Sequence, residues 1–274
     1  NKYLEGLAGL WCTALGYGNQ EVIDTASEQM GKVTFSHMFG GKTHQVAIDL
    51  ADKLAEMIPM KDPVLSFGNS GSDANDTHIK LLRYYHEAIG KPECRKIISR
   101  ERSYHGVTVA AASLTGLPVT QNHFDLPVDA LGILHTDHPH YYRGKQGGES
   151  ETEFVDRIVG NLESMIVREG PDTIAAFIAE PITGASGVIV PPAGYYQKVQ
   201  AVLNRYNIMF WADEVITGFG RTGSDFGCNT MGIESPDMMT FAKQLSSAYM
   251  PISCLLYHSD VSHSRHVAIL CGFL

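Results

Sequence analysis

Apolar residues recur at helical spacing in two early stretches, Glu21–Val33 and Thr43–Ile58. The second places Val46, Leu50, Leu54 and Met57 on one face. From Val64 the rhythm changes to short apolar runs, each closed by a polar or glycine-bearing turn. These runs predict strands over Val64–Phe67, Lys96–Ser99, Leu131–Leu134, Thr173–Ala179, Ile208–Ala212, Asp237–Phe241 and Ile252–Tyr257. Helical patterns fall between several of them, at Asp73–Ile89, Thr152–Val167 and Gly194–Tyr206. Glu149–Glu153 adds charge where one of these begins, with Ser150 placed to cap it. Leu117–Gln146, rich in Pro and His, has the weakest pattern and reads as a long surface excursion interrupted by one strand. Such alternation predicts an α/β fold with a mostly parallel sheet flanked by helices. Ligand chemistry in sheets of this kind sits at the carboxyl ends of the strands.

Composition narrows the field. Of 274 residues, 44% are apolar and 19% charged, which is globular rather than disordered composition. Twenty-one basic against 30 acidic residues leave a net charge of −9 and no Lys/Arg run, a poor match for a nucleic-acid backbone. No apolar run approaches the length of a membrane span. The five cysteines, Cys12, Cys94, Cys228, Cys254 and Cys271, are odd in number and lack redox or zinc spacing. They read as reduced thiols in a reducing compartment, the cytoplasm by default. His135, Asp137, His138 and His140 crowd together, but Pro139 among them argues against joint ligation of a metal, and none is expected. Gly40-Gly41 after Phe39 reads as a flexible turn.

Five groups fall just after predicted strands. Gly68-Asn69-Ser70-Gly71-Ser72-Asp73 leads into a helix and offers free backbone N–H groups at the positive end of its dipole, an arrangement suited to phosphate. Ser103-Tyr104-His105-Gly106 can present an aromatic face to a planar ligand. Glu180-Pro181 and Asp213-Glu214-Val215 each put a carboxylate at a strand end, where burial is costly without a partner. Lys243 follows Thr240-Phe241-Ala242, where a partly desolvated amine can act as a nucleophile toward an aldehyde. Taken alone, each has an ordinary structural reading: a capped turn, a packed aromatic, a Pro-punctuated turn, a salt bridge, a solvated lysine. Together they match one ligand, pyridoxal 5′-phosphate, which has a phosphate, a flat ring, a ring nitrogen to keep protonated and an aldehyde.

The chain resembles the class III, pyridoxal-phosphate-dependent aminotransferases of fold type I, nearest to the ω-aminotransferase branch with its amine–pyruvate and β-alanine–pyruvate enzymes. The likeness rests on Gly9-Leu10-Trp11, Asn69-Ser70-Gly71-Ser72-Asp73-Ala74-Asn75, Tyr104-His105-Gly106, Ala179-Glu180-Pro181, Gly187 to Pro192, Asp213 to Gly223 and Ala242-Lys243, in that order and spacing. The resemblance implies pyridoxal 5′-phosphate as cofactor and Lys243 as the catalytic amine that bonds its aldehyde and moves a proton. It implies that Asp213 keeps the ring nitrogen protonated, that Tyr104 and Val215 cover the two ring faces, and that Ser70, Gly71 and Ser72 hold the phosphate. His105 and Glu180 would stand near the cofactor, and Trp11 would line the substrate pocket. An amine donor and a keto-acid acceptor follow as partners, in a homodimer. Two departures are small: Asp73 stands where Glu is common, and Ile216 where some subfamilies have Gln.

Three segments are expected: residues 1–60 as a helical interface and pocket segment, 61–257 as the cofactor-binding large domain, and 258–274 as a divergent tail. After about Asp260 the resemblance fades, and the apolar run Val267–Leu274 and the non-Met start read as those of a truncated chain lacking the small C-terminal domain. The expected function is transfer of an amino group from an amine or ω-amino acid to a keto acid such as pyruvate. The second reading is a non-catalytic chain that binds the cofactor or a full-length partner only.

Overall fold

A computed structural model describes residues 1–38 and 40–258. Phe39, Cys271 and the apolar run after Asp260 lie outside the described residues. The strands are β1 (Pro63–Gly68), β2 (Lys96–Arg100), β3 (Ile133–Thr136), β4 (Ile174–Ala179), β5 (Met209–Asp213), β6 (Met238–Phe241) and β7 (Ser253–His258). They form one sheet in the order β1-β7-β6-β5-β4-β2-β3. Neighbours from β6 to β3 pair in parallel, whereas β7 runs antiparallel to both β1 and β6. The mostly parallel sheet expected from the pattern is therefore present, with β7 as the one reversed strand among the described residues.

Continuous apolar runs make these strands because helices cover both faces. Side chains alternate between two cores with the period of two that a strand imposes. Phe177 and Ala179 on β4, Phe210 and Ala212 on β5 and Met239 and Phe241 on β6 meet the helices Glu151–Glu169 and Tyr195–Arg205. Ala176, Ile178, Trp211 and Met238 point the other way, onto Ile79 and Leu82 of the helix Gly71–Ala88. Ser150 does cap the helix Glu151–Glu169, in a reciprocal box with Glu153.

Local differences from the pattern have local causes. β3 starts two residues later than expected because Asp129–Leu131 closes a 3-10 turn, and Gly132 ends it at φ +67°. The Leu117–Gln146 excursion contains two one-turn helices, Pro118–Gln121 and Tyr141–Gly144. In the helix Gln45–Met57, Leu54 is buried and Leu50 and Met57 pack beside it, but Val46 stays exposed at the end of the stripe.

Candidate active site

The carboxyl ends of β1, β2, β4, β5 and β6 open on one cavity of about 440 Å³. Ser70, Gly71 and Ser72 line one part of it, where the helix Gly71–Ala88 begins. Ser70 is its N-cap, with Oγ accepting from the Asp73 amide at 3.2 Å. The Asp73 carboxylate turns back to accept from the Asn69 amide (2.8 Å) and the Ser253 hydroxyl (3.2 Å), tying the turn to β7. An aspartate at this place therefore has a structural use. Ser72 Oγ accepts from the Val107 amide at 3.1 Å, and a Cβ on Gly106 would lie 2.5 Å from that same oxygen. Glycine at 106, at φ +137°, lets the loop after β2 close over the helix start.

Asp213 ends β5 and is 3% exposed. Such a buried carboxylate needs donors, and it has three. His105 Nδ1 lies 2.7 Å from Oδ2, Asn75 Nδ2 donates to the same oxygen at 3.2 Å, and the Val215 amide donates to Oδ1 at 3.1 Å. His105 Nε2 has no hydrogen-bond partner among the described residues. Its contact with Asp213 assigns the Nδ1–H tautomer. Tyr104 and Val215 both line the cavity, and Tyr104 has its hydroxyl pKa raised by burial and then by Asp213 and Glu180. Val215 packs on Gly71, where a Cβ would come within 2.8 Å of its Cγ2.

Glu180, after β4, is 2% exposed and neither carboxyl oxygen has a hydrogen-bond partner among the described residues. Burial first, and the Asp213 charge second, push its pKa up to about 8. Arg100, with smaller pulls from the Tyr104 backbone and Thr183, acts the other way. The Arg100 guanidinium is fully buried behind the site, donating to the Tyr196 hydroxyl (3.0 Å), the Glu180 carbonyl (2.7 Å) and the Thr183 hydroxyl (3.1 Å).

Lys243 reaches the cavity from the turn after β6. It is half-buried, its amine makes no hydrogen bond or ion pair with a described residue, and its backbone holds φ +42°. A lysine in this left-handed region carries backbone strain, which accumulates at functional sites. The loop that follows holds the start of the chain in place. Ser247 Oγ donates to the Cys12 carbonyl at 3.0 Å, the Leu15 amide donates to Ser247 Oγ at 3.3 Å, and the Ala14 amide to Gln244 Oε1 at 3.2 Å. Tyr249 Oη accepts from the Asn19 amide at 2.7 Å and donates to the Gly16 carbonyl at 3.1 Å.

All the residues expected at the cofactor thus line one cavity. Trp11 does not; it is half-buried, with its carbonyl 3.4 Å from Arg221 Nη2, and Cys12 beside it lines the cavity instead. Sequence reasoning singled out Asp213 but not its donor Asn75, although both stand in the motifs quoted. It also missed Glu214, buried at 1%, whose carboxylate accepts from the Thr217 hydroxyl and the Gly227 and Cys228 amides and so caps the start of a short helix. The His135–His140 stretch is divided among separate partners: His135 to the Leu114 carbonyl, Asp137 to Asn161, His138 to the His140 amide. Cys12, Cys94, Cys228 and Cys254 are free thiols.

Fold and cavity together define a site for pyridoxal 5′-phosphate. The donor set fits that group: a helix start that lines the cavity, a buried carboxylate for a protonated ring nitrogen, and a lysine whose amine has no partner among the described residues. A family profile described as Aminotransferase class-III matches residues 1–269, which reaches past the point where the motifs fade. The chain belongs to the class III aminotransferase family, whose cofactor is pyridoxal 5′-phosphate. Gamma aminobutyrate transaminase 1, mitochondrial, of Solanum lycopersicum is 51% identical over 266 residues, covering 97% of this chain and 51% of the relative. Gamma aminobutyrate transaminase 2 of the same plant is 48% identical over 279 residues, 99% of this chain and 60% of the relative. The omega transaminase of Pseudomonas jessenii, solved in complex with PMP, superposes with a TM-score of 0.93 at 52% identity, over 96% of this chain and 57% of the other. A structure described as a transaminase with L-ala gives the same score and identity, over 96% of this chain and 61% of the other. The chain spans about half to three fifths of the length of these relatives. No described helix is long and apolar enough to cross a membrane. Several relatives are named for mitochondria or chloroplasts, and those names lend the cytoplasm no support.

Proposed function

We propose that this site moves an amino group from an amine or ω-amino acid to a keto acid such as pyruvate, with Lys243 as its catalytic residue. When bound, pyridoxal 5′-phosphate supplies an aldehyde for the amino group and a ring that withdraws electrons from the carbon bearing it. The turn Ser70–Ser72 binds the phosphate through amides at the helix start. Tyr104 and Val215, which both line the cavity, would flank the ring and fix its orientation. Asp213, held by His105, Asn75 and the Val215 amide, keeps a proton on the ring nitrogen. Lys243 Nζ takes a proton from the amine-bearing carbon and returns it on the other side of the reaction. Glu180 stands at the wall as a carboxyl whose charge depends on what binds beside it.

The observation that carries this reading is that Lys243, Asp213 and the Ser70–Ser72 turn open on the same cavity. An ω-amino acid donor is supported by relatives named for γ-aminobutyrate, and pyruvate by a neighbour described with L-alanine, its amino form. Exposed Tyr3, Leu4 and Phe35 support a homodimer that covers the first segment, the segment in which Trp11 lies.

Borohydride reduction after incubation with pyridoxal 5′-phosphate, followed by peptide mass mapping, tests the reading. The expected result is a pyridoxyl adduct on Lys243 that Lys243→Ala abolishes, and alanine formed from pyruvate with γ-aminobutyrate as donor. A folded chain that gives no adduct would overturn it.

A further inference from the structure

Behind Asp213 the buried polar groups run on in a line, away from the cavity. Asn75, His78 and Thr240 are each fully buried. Asn75 Nδ2 gives one proton to Asp213 Oδ2 (3.2 Å) and the other to the His105 carbonyl (2.7 Å). Both partners only accept, so the amide is oriented with its oxygen turned the other way. There Asn75 Oδ1 accepts from the Thr240 hydroxyl at 2.8 Å. Thr240 Oγ1 accepts in turn from Trp211 Nε1 at 2.9 Å and faces His78 Nδ1 at 3.1 Å. His78 Nε2 lies 3.1 Å from the Leu256 carbonyl, which can only accept, so Nε2 carries the ring proton. Burial holds the His78 pKa down to about 3, which leaves the ring that one proton and a bare Nδ1. One hydroxyl proton therefore faces two acceptors, Asn75 Oδ1 and His78 Nδ1.

We propose that Thr240 and His78 are positioning residues for Asp213: the Thr240 hydroxyl, shared between Asn75 and His78, sets how strongly Asn75 donates to the Asp213 carboxylate, and so how tightly that carboxylate holds a protonated ring nitrogen. Hydrogen bonds in series polarise one another. A hydroxyl given wholly to Asn75 makes its N–H groups better donors, and an Asp213 that receives more from Asn75 holds the ring proton less. A hydroxyl removed has the opposite effect. Neither residue touches the cavity. The inference rests on Asp213 serving the ring nitrogen, as proposed above.

The test compares the dissociation constants of pyridoxal 5′-phosphate and of its analogue with C–H in place of the ring nitrogen, on the unmodified chain and on variants. The unmodified chain is expected to prefer the natural cofactor. His78→Met removes the competing acceptor and should lower that preference about threefold, while Thr240→Val removes the donor and should raise it about threefold. Thr240→Ser, which keeps the hydroxyl, should restore the original ratio. A change in packing alone moves both dissociation constants together and leaves their ratio alone. If valine at 240 does not fold, His78→Met still decides, since it leaves the Trp211–Thr240–Asn75 line intact. A preference unchanged in the His78 and Thr240 variants, with the unmodified chain discriminating, overturns the inference alone. An unmodified chain that binds both cofactors equally overturns the role of Asp213 and this inference with it.

Discussion

A carboxyl group shut away from water holds its proton more tightly, and Glu180 is held this way by burial and by Asp213. Its pKa in the folded chain is about 8, against 4.5 when free. Below the lower value both states carry the proton, and the folded state has its full benefit. As pH rises from 4.5 toward 8, the unfolded chain ionises first and the folded chain loses stability; above 8 the loss is complete. Glu180→Gln removes this slope. The variant should gain at least about 1 kcal/mol on the parent between about pH 5 and about pH 8.5, read as the difference in thermal midpoints. Parallel curves for the two proteins would count against a protonated Glu180. At this scale the sequence shows which residue types gather at strand ends, because the motif spacing is local. It does not show who pairs with whom. Asn75 and Asp213 stand 138 positions apart and meet only because β5 and the helix Gly71–Ala88 pack together. Nor does anything local mark Glu214 as a cap, since the amides it caps lie 13 and 14 residues on.

The elements were legible to the extent that their pattern is local. Each strand reads as an apolar run, since both sheet faces are covered, and each long helix as an amphipathic stripe. The direction of β7 was not legible: an apolar run looks the same in either sense, and only the path of the chain decides it. Contacts between elements escape the pattern in the same way, and Gly71 against Val215 is one that bears on the site. Gly71→Ala forces a Cβ to 2.8 Å from Val215 Cγ2, with no penalty from a left-handed backbone. Val215, which lines the cavity, must then shift. Affinity for pyridoxal 5′-phosphate should fall about fivefold, the effect of modest overpacking. The double variant Gly71→Ala with Val215→Ala should recover part of it. Absorbance titration of both variants checks this; equal affinity in Gly71→Ala and the parent would show that Val215 does not stand against the ring.

At the scale of the whole molecule, the start of the chain is joined to the site through the loop after Lys243 rather than through the sheet. Tyr249→Phe removes both hydrogen bonds of its hydroxyl, from the Asn19 amide and to the Gly16 carbonyl. Amides over residues 12–19 should then exchange with solvent about tenfold faster, while the strands keep their protection. Hydrogen exchange read by mass spectrometry shows it, and unchanged exchange in that segment would mean that other contacts hold it. The sheet order has a consequence of its own. β1 comes first of the strands, yet it pairs with β7, the last described strand, which lies between β1 and β6. On a translating ribosome, β1 emerges and waits while β2 to β6 are made, before the strand it pairs with exists. The helix that starts at its far end, Gly71–Ala88, reaches β5 and β6 by its own contacts, but β1 itself joins the sheet only when residues 253–258 come between it and β6. Nascent chains arrested before that point would carry every residue that lines the cavity, with the strand leading into its Ser70–Ser72 turn still unpaired.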